Sequence, residues 1–370
     1  MTSTRYGIGG VEKLLLDMSD KYDFSTFAVS YCNLFCDAGG NGVFPNALRS
    51  RGLRCFDIPG RRASEIPRMI AALVRLIKCE HFDVVHLHML QATVVGSVAA
   101  KLAGNSRVVI TKHYTDVLGG RTVGIRRLDR LLTRRADHIV AISEYVRNDL
   151  LRLSVPKAKI SVVYNGVDLA AFEARAAESE SVEFQGAPLL GTVGSLTERK
   201  GHKYLFEAMT SIVARFPGAH LIVAGEGPEL KRLEKLRAEL NLETAISIIG
   251  FRKNVASLLR GVDLYVHPAI HEPFGIAILE AMAAEKCVIA TAVEGVPEIV
   301  IDGGTGYLTT AGDARALAKT IINSLENADE VRLLGKNGRQ RAEKVFEISK
   351  TVRSYERVYK SVSSNRPGRN

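Results

Sequence analysis

Two α/β domains built on doubly wound parallel sheets are the architecture this sequence predicts, and three observations lead there. The 370 residues exceed what a single core ordinarily serves, since domains run to about 100–200 residues. Short apolar runs alternate with amphipathic helical stretches from end to end. Those runs are rich in Val and Ile and continuous rather than alternating, the pattern of strands buried on both faces of a parallel sheet.

In the first half the strand segments are FSTFAVSY (24–31), LRCFDIP (53–59), DVVHLHM (83–89), RVVITKHY (107–114), HIVAIS (138–143) and ISVVYNG (160–166). Helical periodicity fills 65–80, 91–103, 125–136 and 144–153 between them. The rhythm restarts with PLLGTVGSL (188–196), HLIVAG (220–225), AISIIG (245–250), DLYVHP (263–268) and CVIATA (287–292), again with helices in the gaps. From about 313 to about 362 the pattern is helical, and SSNRPGRN is a frayed tail. The Ala-, Glu- and Ser-rich stretch at 168–188 interrupts the strand rhythm and reads as a linker. The expected division is a basic N-terminal domain over 1–170, a connector over 171–187 and a second domain over 188–347. A C-terminal helix and tail follow over 348–370, with the option of packing back on the first domain. Two such Rossmann-like domains facing each other would leave a cleft lined by loops at the carboxyl ends of their strands. A doubly wound domain normally opens with a buried strand before its first glycine loop, whereas YGIGGVEKLLLDM arrives at residue 6. The first N-terminal strand is therefore expected to be absent, with Met1 an internal methionine of a longer frame or the start of a shortened one.

Composition excludes several classes. Aromatic residues make up 6% and Trp is absent, which leaves little for stacking on single-stranded nucleic acid. No run approaches the ~20 apolar residues that span a bilayer, and the N-terminus lacks a basic–apolar–small leader. The five cysteines form no C-x-x-C pair, which favours a reduced compartment over a disulfide framework. Cys32 and Cys36 read as buried thiols rather than half a zinc site. The net charge of +10 is uneven: residues 1–170 hold 24 basic and 15 acidic side chains, and the remainder 26 and 25.

The stretch HPAIHEPFGIAILEAMAAEKCVIATAVEGVPEIVIDGGTGYL (267–308) is richest in chemistry. Glu272 precedes a helix that starts near Phe274, and Glu280 follows eight residues later on that helix. Free N–H groups at a helix start attract anions, so Phe274 and Gly275 suit a sugar or phosphate. Glu272 can accept hydrogen bonds from sugar hydroxyls, and Glu280 can take the vicinal diol of a ribose. Lys200, in ERKGH, supplies a point charge for a leaving group that gains negative charge. Its alternative reading is a surface lysine opening a helix, which the helix dipole disfavours unless an anion sits there.

This region resembles the E-x7-E signature of retaining GT-B-fold glycosyltransferases, most closely family 4. GIGGVEKLLLDM (7–18), VVYNGVDLAAF (162–172) and VGSLTERKGHKYL (193–205) are similar to the same family, so the resemblance covers essentially the whole chain. It implies that Glu272 contacts the donor sugar, Glu280 the nucleotide ribose, and the Phe274 and Gly275 amides the sugar or phosphate. It places Gly9 and Gly10 against the donor diphosphate in preference to a dinucleotide, and His113 by the donor sugar and the acceptor nucleophile. Where the family pattern carries an arginine to pair with the lysine, this chain has Ser195, and the adjacent Arg199 is the candidate replacement. GEGPEL (225–230) and Phe251–Arg252 are expected to border the base. Glu272, Lys200 and His113 are thus the candidate catalytic residues.

No Asp-x-Asp pair occurs, so no metal is expected, and no cofactor either, the nucleotide sugar being a substrate. The family mechanism is front-face displacement in which the leaving phosphate oxygen takes the acceptor proton. His86 and His88 share a strand at metal-like spacing, but without a third ligand structural hydrogen bonding is the simpler reading. Arg121, Arg126, Arg127, Arg130, Arg134 and Arg135 line a helix whose buried stripe would be Leu128, Leu131 and Leu132. That arginine face is either plain solvated surface or a patch for an anionic membrane or acceptor. The expected partners are a UDP- or GDP-sugar donor and a glycan or lipid-linked acceptor of cell-surface polysaccharide, lipopolysaccharide or glycolipid synthesis, with no nucleic acid. The expected location is the cytoplasm, peripheral on the inner face of the plasma membrane. A nucleotide-sugar epimerase, or a catalytically weak nucleotide-sugar or membrane-binding protein, is the alternative.

Overall fold

A computed structural model describes residues 9–36, 42–60, 62–104, 106–114, 123–178 and 187–364. The chain divides into two compact units, one formed by 1–166 with 348–370 and the other by 167–347. The expectation that the first strand is absent concerns the segment before the glycine loop, and residues 1–8 lie outside the described residues.

The first unit begins with α1 (Gly10–Ser19), β1 (Ser30–Cys36), α2 (Val43–Arg49), β2 (Arg54–Pro59) and α3 (Ile66–Glu80). It continues with β3 (Val84–His88), α4 (Leu90–Ala103), β4 (Arg107–Lys112), α5 (Val123–Arg135), β5 (His138–Ala141), α6 (Glu144–Arg152) and β6 (Ile160–Val162). Among the described residues its strands form two parallel sheets, β1-β2 and β3-β4-β5-β6. Continuous apolar strands are buried as expected: Val109, Ile110, Ile139 and Val140 have no accessible surface. Leu15 and Leu16 of α1 close over Tyr31, Phe44 and Leu48 in a smaller cluster.

One strand begins later than the sequence suggested, at Ser30 rather than 24. The Asp23 carboxylate accepts from the Ser25 amide and hydroxyl and from the Thr26 hydroxyl, turning the chain and leaving Phe24 exposed. Such local side-chain bonds compete with strand pairing.

The second unit comprises α7 (Leu169–Glu178), β7 (Leu189–Val193), α8 (His202–Arg215), β8 (His220–Ala224), α9 (Leu230–Glu239), β9 (Ile246–Ile248) and α10 (Ala256–Gly261). Then come β10 (Leu264–His267), α11 (Ile276–Ala283), β11 (Cys287–Thr291), α12 (Val296–Ile299), β12 (Gly306–Thr309), α13 (Ala314–Glu326) and α14 (Ala328–Phe346). The all-parallel sheet runs β12-β11-β10-β7-β8-β9. Winding proceeds outward from β7 through β8 and β9, then restarts at β10 on the other side. The order therefore reverses between β7 and β10, the position where doubly wound sheets bind ligands. Leu190, Leu221, Val223, Leu264, Val266 and Ile289 pack against Leu205, Phe206, Met209 and Ile212 of α8 and Leu317 and Ile321 of α13.

Three segments depart from the sequence reading. The connector expected over 171–187 is helical through Glu178, with Phe172 buried and Glu173 ion-paired to Arg260 and Arg339, so this part is docked in the second unit; 179–186 lie outside the described residues. The strand β12, missed in the sequence, pairs with β11 from Val288–Gly306 to Thr291–Thr309. The long C-terminal helical stretch is three helices, broken at Asn327 and again at Glu347. The last, α15 (Ile348–Ser364), belongs to the first unit. There the Thr351 hydroxyl donates to the Tyr164 carbonyl, and the Asp23 amide to the Glu356 carboxylate.

Candidate active site

The loops after β7 and β10 build the centre of the site. After β7 the chain passes Ser195, makes a short turn over Glu198–Lys200 and enters α8 through Gly201. Gly201 has a φ of 66°, and a Cβ there would sit 2.0 Å from the Pro268 carbonyl oxygen; only glycine lets the two loops approach this closely. The Ile270 and His271 amides both donate to the Arg199 carbonyl, at 2.8 and 3.1 Å. Lys200 is thereby delivered to Glu272, and its ammonium donates to Oε2 in a buried ion pair.

His267, at the end of β10, donates to the same oxygen at 2.9 Å. A carboxylate accepts only, so the ring proton sits on Nε2, and Nδ1 lies 3.2 Å from the Tyr265 hydroxyl, which also donates to the Val193 carbonyl at 3.3 Å. Both donors converge on Oε2, and Glu272 Oε1 takes no hydrogen bond among the described residues. Burial alone would raise the Glu272 carboxyl, but the Lys200 charge and the His267 N–H outweigh it and hold it well below the usual range. Burial lowers the His267 imidazole, with the Lys200 and Arg199 charges adding to the shift. Neither Tyr265 nor His267 was singled out in the sequence. The signal was their place at the end of an apolar strand immediately before the glutamate loop.

Glu280 lies one helical stretch further on, buried on α11. Burial raises the Tyr265 hydroxyl far above its ordinary value, and the Glu280 and Glu272 charges push the same way, so both carboxylates act on one buried group. Phe274 contributes its ring to the core, edge-on to Phe346 with centroids 6.0 Å apart. Gly275 caps α11 with a φ of 110°, where a Cβ would meet Ile278 at 2.8 Å. Ser195 is exposed and Arg199 half-buried. The Arg199 charge is felt at His267, so cationic character is retained beside the site without the expected arginine at 195. Phe251 is 51% exposed, held where its amide donates to the Glu226 carboxylate at 3.3 Å.

Among the described residues, Thr197 Oγ1, His202 Nδ1 and Glu294 Oε2 are buried around this centre without a hydrogen bond. Burial, with the Lys200 and His267 charges adding, pushes the His202 imidazole down to about 3. Each unsatisfied buried group costs about 1–3 kcal/mol. Such a cluster at a sheet's switch point marks a ligand site.

In the first unit Gly9 caps α1, its amide donating to Glu12 at 3.0 Å, and both Gly9 and Gly10 are exposed. His113 follows β4, and its Nε2 lies 2.9 Å from Nδ1 of His88, at the end of β3. Burial pushes His113 down to about 4. His86 bonds Tyr359 of α15 and Thr111, both at 2.7 Å, so its two nitrogens are engaged in hydrogen bonds.

The buried stripe expected on α5 is overturned. Leu128 and Leu131 are 40% and 44% exposed, while Asp129 and Thr133 are buried. The reason is Lys112 of β4, whose buried ammonium takes both Asp129 oxygens at 2.7 and 2.8 Å and turns that face inward. Arg127, Arg130, Arg134 and Arg135 are exposed around the two leucines. Arg126 is placed on the helix by its backbone alone, and Arg121 lies outside the described residues. Among the described residues no helix is long and apolar enough to cross a membrane.

Two family models divide the chain: that of glycosyltransferase family 4 matches residues 8–171, and that of group 1 glycosyl transferases residues 174–341. An uncharacterised glycosyltransferase of Methanocaldococcus jannaschii is 30% identical over 294 residues, covering 78% of each chain. A UDP-Gal:α-D-GlcNAc-diphosphoundecaprenol α-1,3-galactosyltransferase of Escherichia coli is 25% identical, covering 95% of this chain and 94% of that one. Among solved structures, HepE of Anabaena in complex with UDP-glucose superposes with a TM-score of 0.82 at 22% identity, covering 97% and 98% of the two chains. The chain belongs to the family-4 glycosyltransferases, with the two Rossmann-like units of the GT-B fold.

Proposed function

We propose that this glycosyltransferase moves a sugar from a UDP- or GDP-sugar, with retention and without a metal, onto a glycan or lipid-linked acceptor at the cytoplasmic face of a membrane. The observation that carries the reading is the buried Lys200–Glu272–His267 system at the switch point between β7 and β10. Its open Glu272 Oε1 is an acceptor for sugar hydroxyls, and Lys200 is a charge for the diphosphate. The acceptor hydroxyl attacks the anomeric carbon on the face from which the diphosphate departs, and the departing phosphate oxygen takes its proton. Lys200 stabilises the charge that grows on that oxygen. His267 keeps Glu272 ionised and fixed while Lys200 is shared with the incoming phosphate. No protein nucleophile is required, and position and charge supply the catalysis. The lipid-linked acceptor is supported by the acceptor named for the Escherichia coli relative.

Nucleotide-sugar hydrolysis or transfer measured on Lys200→Ala and Glu272→Ala tests the site. A drop of about tenfold or more in each, with thermal unfolding still cooperative, is expected; unchanged turnover removes these residues from the chemistry. NMR of the product's anomeric proton reports retention, and activity after EDTA treatment reports metal independence.

Membrane association is favoured by a separate observation, the exposed Leu128 and Leu131 ringed by exposed arginines on α5. Apolar side chains that enter the interface, with basic ones that meet anionic headgroups, suit a peripheral contact. Flotation with phosphatidylglycerol vesicles is expected to weaken at high salt; equal binding to neutral phosphatidylcholine vesicles removes the electrostatic part.

A further inference from the structure

Glu294, in the loop after β11, has no role in the mechanism above, yet its setting asks for a ligand. Its side chain is 6% exposed. One oxygen meets His271 Nδ1 at 3.2 Å, and the other, Oε2, is buried with no hydrogen bond among the described residues. Its backbone has a φ of 45°, the left-handed region where glycine sits freely and a glutamate is strained. The loop is tied to the site by its next residue, Gly295, whose amide donates to the Glu272 carbonyl at 3.2 Å. A strained, buried and partly unsatisfied carboxylate beside a reaction centre is the kind of outlier that points to function.

We propose that Glu294, with one oxygen held by His271, is a specificity-determining residue that accepts a hydrogen bond from a hydroxyl of the transferred sugar. The inference rests on the donor reading of the site given above. A carboxylate only accepts, so Oε2 requires an O–H or N–H donor. Burial raises this carboxyl from its ordinary value, and the Glu272 charge adds to the shift against the opposing pull of His271 and of the Glu272 backbone N–H; two carboxylates within electrostatic reach repel a phosphate. The part of a nucleotide sugar that fits beside them is the neutral, hydroxyl-rich ring. An epimer that moves its hydroxyl away leaves Oε2 unsatisfied, which is how a buried polar group discriminates strongly between close analogues.

Calorimetric titration tests this with UDP, GDP, and their glucose, galactose, mannose and N-acetylglucosamine conjugates on wild type, Glu294→Gly and Glu294→Gln. The glycine variant relieves the strained φ, so its melting temperature is expected to stay level or rise. In both variants the nucleoside diphosphate should bind as in wild type. The ratio of nucleotide-sugar Kd to nucleoside-diphosphate Kd should rise about fivefold or more for the preferred sugar, and the preference among epimers should flatten. Sugar ratios unchanged in both variants overturn the proposal while leaving the donor site intact. A Glu294→Gly protein that melts early shifts the decision to Glu294→Gln, on the same criterion. A wild type that binds none of the nucleotide sugars overturns the donor reading itself, and this inference with it.

Discussion

Among the described residues, a lysine meets a buried carboxylate in each unit of the chain, Lys112 with Asp129 and Lys200 with Glu272, and the two pairs are built differently. In the first, Lys112 on β4 saturates both oxygens of Asp129 on α5, with side chains 5% and 9% exposed. In the second, Lys200 and His267 crowd onto one oxygen of Glu272, and the other oxygen is left open. The first pair leaves neither Asp129 oxygen open and serves to orient a helix. The second is left incomplete at a point where one side-chain atom each of Thr197, His202 and Glu294 also lacks a hydrogen bond among the described residues, which is what a binding site requires and a structural brace does not. Charge separates the units as well. With α15 assigned to the first unit, that unit holds 30 basic and 15 acidic residues, net +15, and the second holds 20 and 25, net −5. The division at residue 170 had suggested +9 and +1, because the basic C-terminal segment was counted with the wrong half.

The comparison is broken most directly at the closed pair. Asp129→Ala should destabilise the first unit by about 3–5 kcal/mol in urea unfolding, since it strands a buried ammonium. Replacing both partners with apolar residues, Lys112→Met with Asp129→Leu, should recover most of that loss. If Glu272→Ala costs more stability than Asp129→Ala, the distinction between brace and site is wrong. Next in size is Lys200→Ala, expected to lower kcat/KM by about 100- to 1,000-fold, or roughly 2.7–4 kcal/mol of transition-state stabilisation.

A smaller effect is pH dependence in the first unit. Burial depresses His113 from an ordinary 6.5 to about 4, so the unfolded chain takes up its proton first as acid is added. The stability from the neutral ring is complete above about pH 6.5 and is lost as pH falls toward 4. Thermal melts across that range should decline in wild type and decline less steeply in His113→Gln, the other buried imidazoles still contributing; parallel curves refute the assignment. Smallest of all is the double change Leu128→Ala, Leu131→Ala, which should leave stability within about 0.5 kcal/mol because both side chains are already exposed. Weaker capture by phosphatidylglycerol vesicles is the expected readout, and a large stability loss would return the leucines to the core.

Much of the fold was legible because parallel strands announce themselves locally. Val108–Ile110 and Val288–Ala290 are apolar on both faces, and nothing distant is needed to recognise them. The strand Gly306–Thr309 escaped because it is short and carries two half-exposed residues at the sheet edge. At the site, the resemblance to the family drew attention to Glu272, Lys200 and Glu280, and showed Ser195 where the family pattern carries an arginine. His267 and Tyr265 were hidden inside an ordinary strand, and Glu294 inside a loop. Their importance lies in what they meet or fail to meet, which sequence neighbours do not reveal.

The sequence by itself determined the two-domain α/β class, the family, and the residue types gathered at the carboxyl ends of the strands. Periodicity and motif spacing are local properties, and each survives being read one window at a time. Only the tertiary structure decided that α15 joins the first unit, that Asp129 rather than Leu128 faces inward, and that one oxygen of Glu272 and one of Glu294 remain open. Those are questions of hydrogen-bond partnership across 17 to 333 residues of chain. A buried charge takes whichever partner the fold brings within reach, so the answer exists only once the chain has closed.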